Sequence, residues 1–441
     1  MSTIFALSSA PGPAGIAVLR VSGPEAGPAL KALTGQLPAP RRATVAPLRR
    51  PGSAELLDRA LVLWFPAPAS VTGEDVAEFQ VHGGRAVVRA ALEALGGLPG
   101  LRPAEPGEFT RRAFLNGKLD LTQVEALADL VKAETEGQRR QATRQLEGEL
   151  GQLLERWRSE ILRALAHVEA AIDFAEDEVP TEVVAAAAAL VHRLVPQMEE
   201  ALQEAGRSER LRTGVHIAII GPPNAGKSSL LNALAGREAA IVAATAGTTR
   251  DVVEVHLDLA GVPVVLADTA GLRDAGEDVE EEGVRRALAR AELADVRIGV
   301  FDATTWPELD ERTLTALGPD DLVVLNKVDV RFVPEPIVCS RDTWQVSAKT
   351  GQGIRPFVQA LEGAAQARAG MTEEPGLTRA RQRDALSDCV AALRRFLDGG
   401  PDAELRAEDL RLAARALGRI TGRVDMDELL DVIFRDFCIG K

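Results

Sequence analysis

Residues 215–236 read VHIAIIGPPNAGKSSLLNALAG, a run whose local pattern changes twice within 22 residues. Its first six residues predict a buried strand, because β-branched side chains suit a pleated, packed surface. LLNALAG has the spacing of a helix. Between them, Gly221 to Ser228 spell G-x-x-x-x-G-K-S in the strand-before, helix-after context that a phosphate-binding loop requires. Glycines let backbone N–H groups close on phosphate oxygens, and a helix N-terminus favours anions through its dipole. Asn224, Ala225, Gly226, Lys227, Ser228 and Ser229 are the expected contacts. Lys227 would reach the β- and γ-phosphates in a catalytic role, and Ser228 would offer its hydroxyl to Mg2+.

Three further motifs follow in order, each at the end of a predicted strand or shortly beyond one. Asp268-Thr269-Ala270-Gly271 after VPVVLA places an acid near the metal and a glycine amide near the γ-phosphate. Asn326-Lys327-Val328-Asp329 after DLVVL suits the guanine edge: Asp329 can accept from N–H groups that adenine lacks. Ser347-Ala348-Lys349 completes the set, which resembles the GTPase family and not ATPases, implying GTP as the nucleotide. Leu272 stands where Ras-like enzymes carry the glutamine that orients the attacking water. Glu280, in DAGEDVEEEG, is the expected catalytic substitute, although an acidic run is also what a solvated face looks like. Thr249 is placed to complete Mg2+ coordination. No arginine finger is prescribed, though Arg250 and Arg273 lie nearby, so charge at the β–γ bridge needs another source. NAGKS with TAGTTRD resembles GTPases that hold K+ there. That resemblance implies coordination by Asn224 and by loop carbonyls around Ala243, Thr245 and Thr248.

The wider chain sets the context. At 441 residues, about three domains are expected. A net charge of −14 argues against a surface coated for nucleic acid, and no tyrosine with 4% aromatics argues against a base-stacking platform. Arg41–Arg50 (RRATVAPLRR) is a minor basic patch or a solvated strand edge. Cys339, Cys389 and Cys438 have neither metal-ligand spacing nor an even count, so a reducing, cytoplasmic setting is expected. No signal peptide is apparent, because Pro11 and Pro13 interrupt the first apolar run, and no run is long enough to span a bilayer.

GIAVLRVSG and RALVLWFPAP read as strands, and GEDVAEFQVHGGRAVVRAALEAL as strand, turn and helix. Leu154, Trp157, Ile161, Leu165, Val168 and Ile172 form a helical stripe, and Leu386, Val390, Leu393 and Leu397 another beyond the α/β block. The expected fold is therefore mixed α/β and all-α. It comprises an N-terminal α/β domain (1–118), a helical domain (119–210 and 367–441), and a Ras-like doubly wound GTPase domain (211–366) inserted into it.

The flanks narrow the class. GPAGIAVLRVSG, TGEDVAEFQVHGG, PAEPGEFTRRAFLNGKLDLTQVEALADLV and the terminal FCIGK resemble the MnmE (TrmE) family of tRNA modification GTPases over essentially the whole chain. The resemblance implies an N-terminal domain that binds folate and forms a homodimer. It also implies a flavoprotein partner, MnmG, and modification of carbon 5 of the wobble uridine in certain tRNAs. The one-carbon unit would come from 5,10-methylene-tetrahydrofolate, with the 5-formyl form as an analogue. GTP hydrolysis coupled to G-domain dimerisation would drive or gate the reaction, and tRNA would be held largely by the partner. Matching motif positions carry the folate site onto Arg20, Glu78, Lys118 and Lys441, with Cys438 as a candidate thiol. A carboxylate can grip a pterin's amino-pyrimidine edge, and Arg or Lys can pair with its glutamyl tail. In the tail, Phe434 and Phe437 would anchor the segment and Gly440 would turn it. The alternative is a GTP-operated interaction switch, such as a ribosome-assembly factor.

Overall fold

A computed structural model describes residues 2–173, 181–236, 254–268, 293–334, 338, 341–370, 375–399, 402–424, 433, 434, 437 and 440. It divides into two compact units, Met1–Ala128 with Leu417–Lys441, and Asp129–Ala416.

The first unit is built on six strands: β1 (Thr3–Leu7), β2 (Ala14–Ser22), β3 (Thr44–Arg49), β4 (Leu56–Phe65), β5 (Val76–Gly83) and β6 (Leu101–Pro103). Their order is β3-β4-β5-β2-β1-β6, antiparallel except for the parallel β1–β6 pair. Alternation sends Leu19, Val21, Val62 and Phe79 to one face, where they pack with Leu30 of α1 (Ala26–Thr34) and Leu95 of α2 (Arg85–Gly96). On the other face Ile4 and Ala6 lie under Phe109 of α3 (Glu108–Leu115). The basic stretch is the edge strand β3. Three of its four arginines are engaged locally: Arg41 donates to the Ala69 carbonyl, Arg49 to Ala54 O at 2.8 Å, and Arg50 to Glu55 at 2.8 Å. The tail groups with this unit because Phe434, its ring tilted against that of Phe437, buries itself against Leu121 and Val124 at the start of α4 (Leu121–Lys132).

In the second unit, α5 (Glu136–Leu146), α6 (Glu149–Asp173) and α7 (Thr181–Thr213) precede the α/β block. Leu154, Trp157, Ile161 and Val168 of α6 are buried, as their stripe predicts. The block holds β7 (Val215–Ile220), α8 (Lys227–Ala235), β8 (Glu254–Leu259), β9 (Val262–Asp268), β10 (Val296–Asp302), α9 (Glu311–Ala316), β11 (Leu322–Asn326), β12 (Thr343–Gln345) and α10 (Ile354–Ala369). The sheet order is β12-β11-β10-β7-β9-β8, parallel except at the β8–β9 hairpin. Then α11 (Ala380–Asp398) returns to α7, with Cys389 buried 3.9 Å from the Met198 sulfur, and α12 (Ala403–Thr421) follows. This is a doubly wound domain inserted in a helical one.

Entry and exit of the insert are fastened together. Arg212 donates to Thr378 O at 2.9 Å. Helix α5 braces both crossings with one row of glutamines: Gln138 donates to Arg212 O at 2.9 Å, Gln141 to Ser208 O at 3.1 Å, and Gln145 to Gly376 O at 2.9 Å. Positions three and four apart share a helix face, so three amides meet three backbone carbonyls.

Candidate functional site

In open α/β sheets ligands bind beyond the carboxyl ends of the strands, where the order reverses. Here β7 lies between β9 and β10, and the glycine-rich loop leaves its carboxyl end. Gly226, the N-cap of α8, sits at φ +95°, and Asn224 at φ +62°. Lys227 folds its ammonium back over the loop, donating to Gly221 O at 2.8 Å and Pro222 O at 3.0 Å. Asn224, Ser228 and Ser229 are exposed while Ala225 is buried, so the polar side chains of the loop stay accessible.

The distant motifs meet through one buried residue. Asn326, 2% exposed, donates through Nδ2 to Ala225 O at 2.9 Å and accepts through Oδ1 from the Ala348 N–H at 3.0 Å. One side chain thus ties the phosphate loop, β11 and the Ser347–Lys349 loop into a single frame. Buried Ser347 steadies that loop, its Oγ accepting from the Thr350 N–H at 3.1 Å. Asp329 and Lys349 are exposed at the rim. The backbone of Asp268 closes β9 in register with Ile219 of β7, two residues before the loop. Ala243, Thr245, Thr248, Thr249, Thr269, Ala270, Gly271 and Glu280 lie outside the described residues.

Lys327 brings in a residue that sequence reasoning missed. Its backbone is left-handed at φ +67°, and its ammonium reaches Asp302 Oδ2 at 2.6 Å. The other Asp302 oxygen accepts from the Thr304 N–H at 2.8 Å and the Thr304 hydroxyl at 2.7 Å. Burial alone would push the Asp302 carboxyl up. Hydrogen bonds from Lys327 and Thr304 outweigh it and hold the carboxyl below its ordinary range. An acid closing a parallel strand beside NKVD was the available signal.

A second cluster lies in the first unit. Arg20 and Glu78 face each other on β2 and β5 and form an ion pair at 2.9 Å. The Arg20 guanidinium lies over the Phe109 ring, 5.9 Å from its centroid. Lys118 follows α3, its N–H donating to Ala113 O at 2.8 Å, and its stem lies against the Gly73 turn. That turn is clamped by groups the sequence did not single out. The Ser22 hydroxyl lies 2.7 Å from that of Thr72 and 2.8 Å from Glu74, and Arg112 donates to Glu74 at 2.8 Å and to Glu108 at 3.2 Å. Gly440 sits beside β1: Ser8 Oγ donates to Gly440 O at 2.9 Å, and β1 pairs Ala6 with Arg20. Cys438 and Lys441 lie outside the described residues.

A model of the MnmE helical domain matches residues 121–438, and a model of the GTP-binding protein TrmE N-terminus matches residues 3–118. The tRNA modification GTPase MnmE of Parvibaculum lavamentivorans is 60% identical over 450 residues, covering 100% of both chains. The chain belongs to the MnmE family of tRNA modification GTPases. A second MnmE, from Paramagnetospirillum magneticum, is 59% identical over 100% of this chain and 99% of its own. The family likeness extends to Danio rerio. Its mitochondrial 5-taurinomethyluridine-[tRNA] synthase subunit GTPB3 is 50% identical over 100% of this chain and 93% of its own. As a member of this family, the chain is a GTP hydrolase. Among the described residues, no helix is long and apolar enough to cross a membrane.

Proposed function

We propose that this chain hydrolyses GTP to drive or gate modification of carbon 5 of the wobble uridine in certain tRNAs. It acts in the cytoplasm as a homodimer with the flavoprotein MnmG, using a one-carbon unit from 5,10-methylene-tetrahydrofolate. One observation carries the GTPase half: Asn326 joins the phosphate loop to the guanine-side loops at the carboxyl ends of β7 and β11. The tRNA half is supported by full-length likeness to tRNA modification GTPases, and the Danio rerio relative's name points to carbon 5 of a uridine.

In this reading Lys227 leaves its loop carbonyls for the phosphates, and Asp329 accepts from the guanine N–H groups. Glu280 orients the attacking water. Ser228 and Thr249 would hold Mg2+, and the exposed Ser228 hydroxyl at the first turn of α8 is the hard oxygen donor that ion favours. Asn224, exposed beside the loop, would hold K+ with the carbonyls around Ala243, Thr245 and Thr248. Bound there, the cations neutralise charge across the β- and γ-phosphates.

Glu78 grips the amino-pyrimidine edge of the folate, and Arg20, Lys118 and Lys441 pair with its carboxylates. The Arg20–Glu78 pair suits this, being only partly exposed, at 23% and 18%, with an aromatic face alongside. The segments 1–118, 119–210 with 367–441, and 211–366 serve as folate, helical and GTPase domains.

The test is complementation of a strain lacking its own such GTPase, with mass spectrometry of tRNA nucleosides and hydrolysis assays on the purified chain. Wobble-uridine modification should return, and GTP should turn over faster in potassium than in sodium at equal ionic strength. An unchanged nucleoside profile would reject the tRNA reading, and equal rates in the two salts would reject the potassium site.

A further inference from the structure

We infer that Asp302 is a positioning residue of the guanine-base site, acting through Lys327. The inference rests on the reading that Lys327, next to Asn326 and two positions before Asp329, lies along the bound base.

Asp302 ends β10 and pairs in register with Asn326 at the end of β11. Lys327 is the next residue, and its side chain runs from the end of one strand to the end of the other before its ammonium meets Asp302 at 2.6 Å. The stem is therefore stretched across the carboxyl ends of two neighbouring strands, on the side where a nucleotide enters. Four methylenes held flat there form an apolar shelf for a purine ring, while the charge is neutralised at the far end. A lysine stem left to itself samples many rotamers, and fixing it costs side-chain entropy. Asp302 removes that cost before the nucleotide arrives. Its own freedom is removed by Thr304, whose N–H and hydroxyl hold the second carboxylate oxygen at 2.8 and 2.7 Å. The left-handed backbone of Lys327 is braced by the Val330 N–H, which donates to Lys327 O at 2.9 Å. The Lys327 side chain is 35% exposed and that of Asp302 16%, so the carboxylate is the more buried of the pair.

The experiment is a double-mutant cycle on the full chain, reading Kd for a fluorescent GDP analogue alongside KM and kcat for GTP. Asp302→Asn should raise Kd and KM by about five- to tenfold with kcat at saturating GTP within about twofold. Thr304→Ala should give a smaller loss of the same kind. In a Lys327→Ala background, Asp302→Asn should add nothing, because the side chain it positions is gone. An undiminished effect of Asp302→Asn in that background would overturn the inference, as would an unchanged Kd in Asp302→Asn when Lys327→Ala alone weakens binding. A Lys327→Ala chain that binds normally would instead remove the underlying reading of Lys327.

Discussion

At Gly226 the backbone holds φ +95°, and an added Cβ would lie 2.2 Å from Asn326 Nδ2. A side chain there meets two separate costs. The left-handed conformation is unfavourable by about 1–2 kcal/mol for an L-residue. Displacing Asn326 also frees the Ala225 carbonyl and the Ala348 N–H, each worth about 1 kcal/mol. Gly226→Ala is therefore expected to weaken guanine-nucleotide affinity by roughly 2–4 kcal/mol, near two orders of magnitude, with the fold intact. Equilibrium binding of a fluorescent GDP analogue reads this directly, and an affinity close to wild type would refute the account. Gly226 was legible as a phosphate-loop glycine, because the motif demands it. The role of Asn326 was legible only in part. Its spacing from Asp329 pointed to the base, whereas its two partners come from loops far away in sequence.

Among elements, those with strong local patterning were read from the sequence: β2, β4, β5, α2, α6, β7 and α8 each carry alternation, a short apolar run or helical spacing. The clamp that holds α3 on the first sheet was not legible. Glu108, Arg112, Glu74, Ser22 and Thr72 come from three places in the chain, and each alone looks like an ordinary surface polar residue. Burial would raise the Glu108 carboxyl, but hydrogen bonds from Arg102, the Glu105 N–H and Arg112 outweigh it and hold it below the usual range. Since the folded form keeps the proton off more strongly than the unfolded chain, its contribution is complete above the unfolded pKa, about 4.3. It fades as pH falls through the lower folded value. Thermal melts should lose stability below about pH 4.5, and Glu108→Gln should flatten that part of the profile while lowering stability near neutrality by about 1–3 kcal/mol. Identical pH profiles for the two proteins would sink this. Helix α5 shows the same limit of sequence reading. Its glutamine row brands it as polar, and only the fold shows three amides bracing the entry and exit of the insert.

For the whole molecule, the tail is where the proposed function and the architecture meet. Gly440 sits at φ +98°, with an added Cβ only 2.1 Å from Leu7 O, so the backbone approaches β1 as closely as glycine permits. Phe434 is buried against Leu121 and Val124. Gly440 thus lies beside β1, the strand whose Ala6 pairs with Arg20. Deleting Ile439 to Lys441 is expected to abolish tRNA modification and weaken reduced-folate binding in calorimetry, while GTP hydrolysis by the full remaining chain stays near wild type. Loss of both activities together would make the tail a structural element instead.

Local sequence was enough to point to the GTPase class, the inserted order of the α/β block and the candidate ligand residues. Those features depend on glycine conformations, short spacings and local periodicity, which act between near neighbours. The long-range pairings had to be seen in the fold: Asn326 ties two loops together, Asp302 holds Lys327, and Arg112 clamps the Gly73 turn. Each of these is a polar pairing across strands or between a helix and a sheet. Its energy depends on burial and on a partner's position, neither of which is written in the residues on either side.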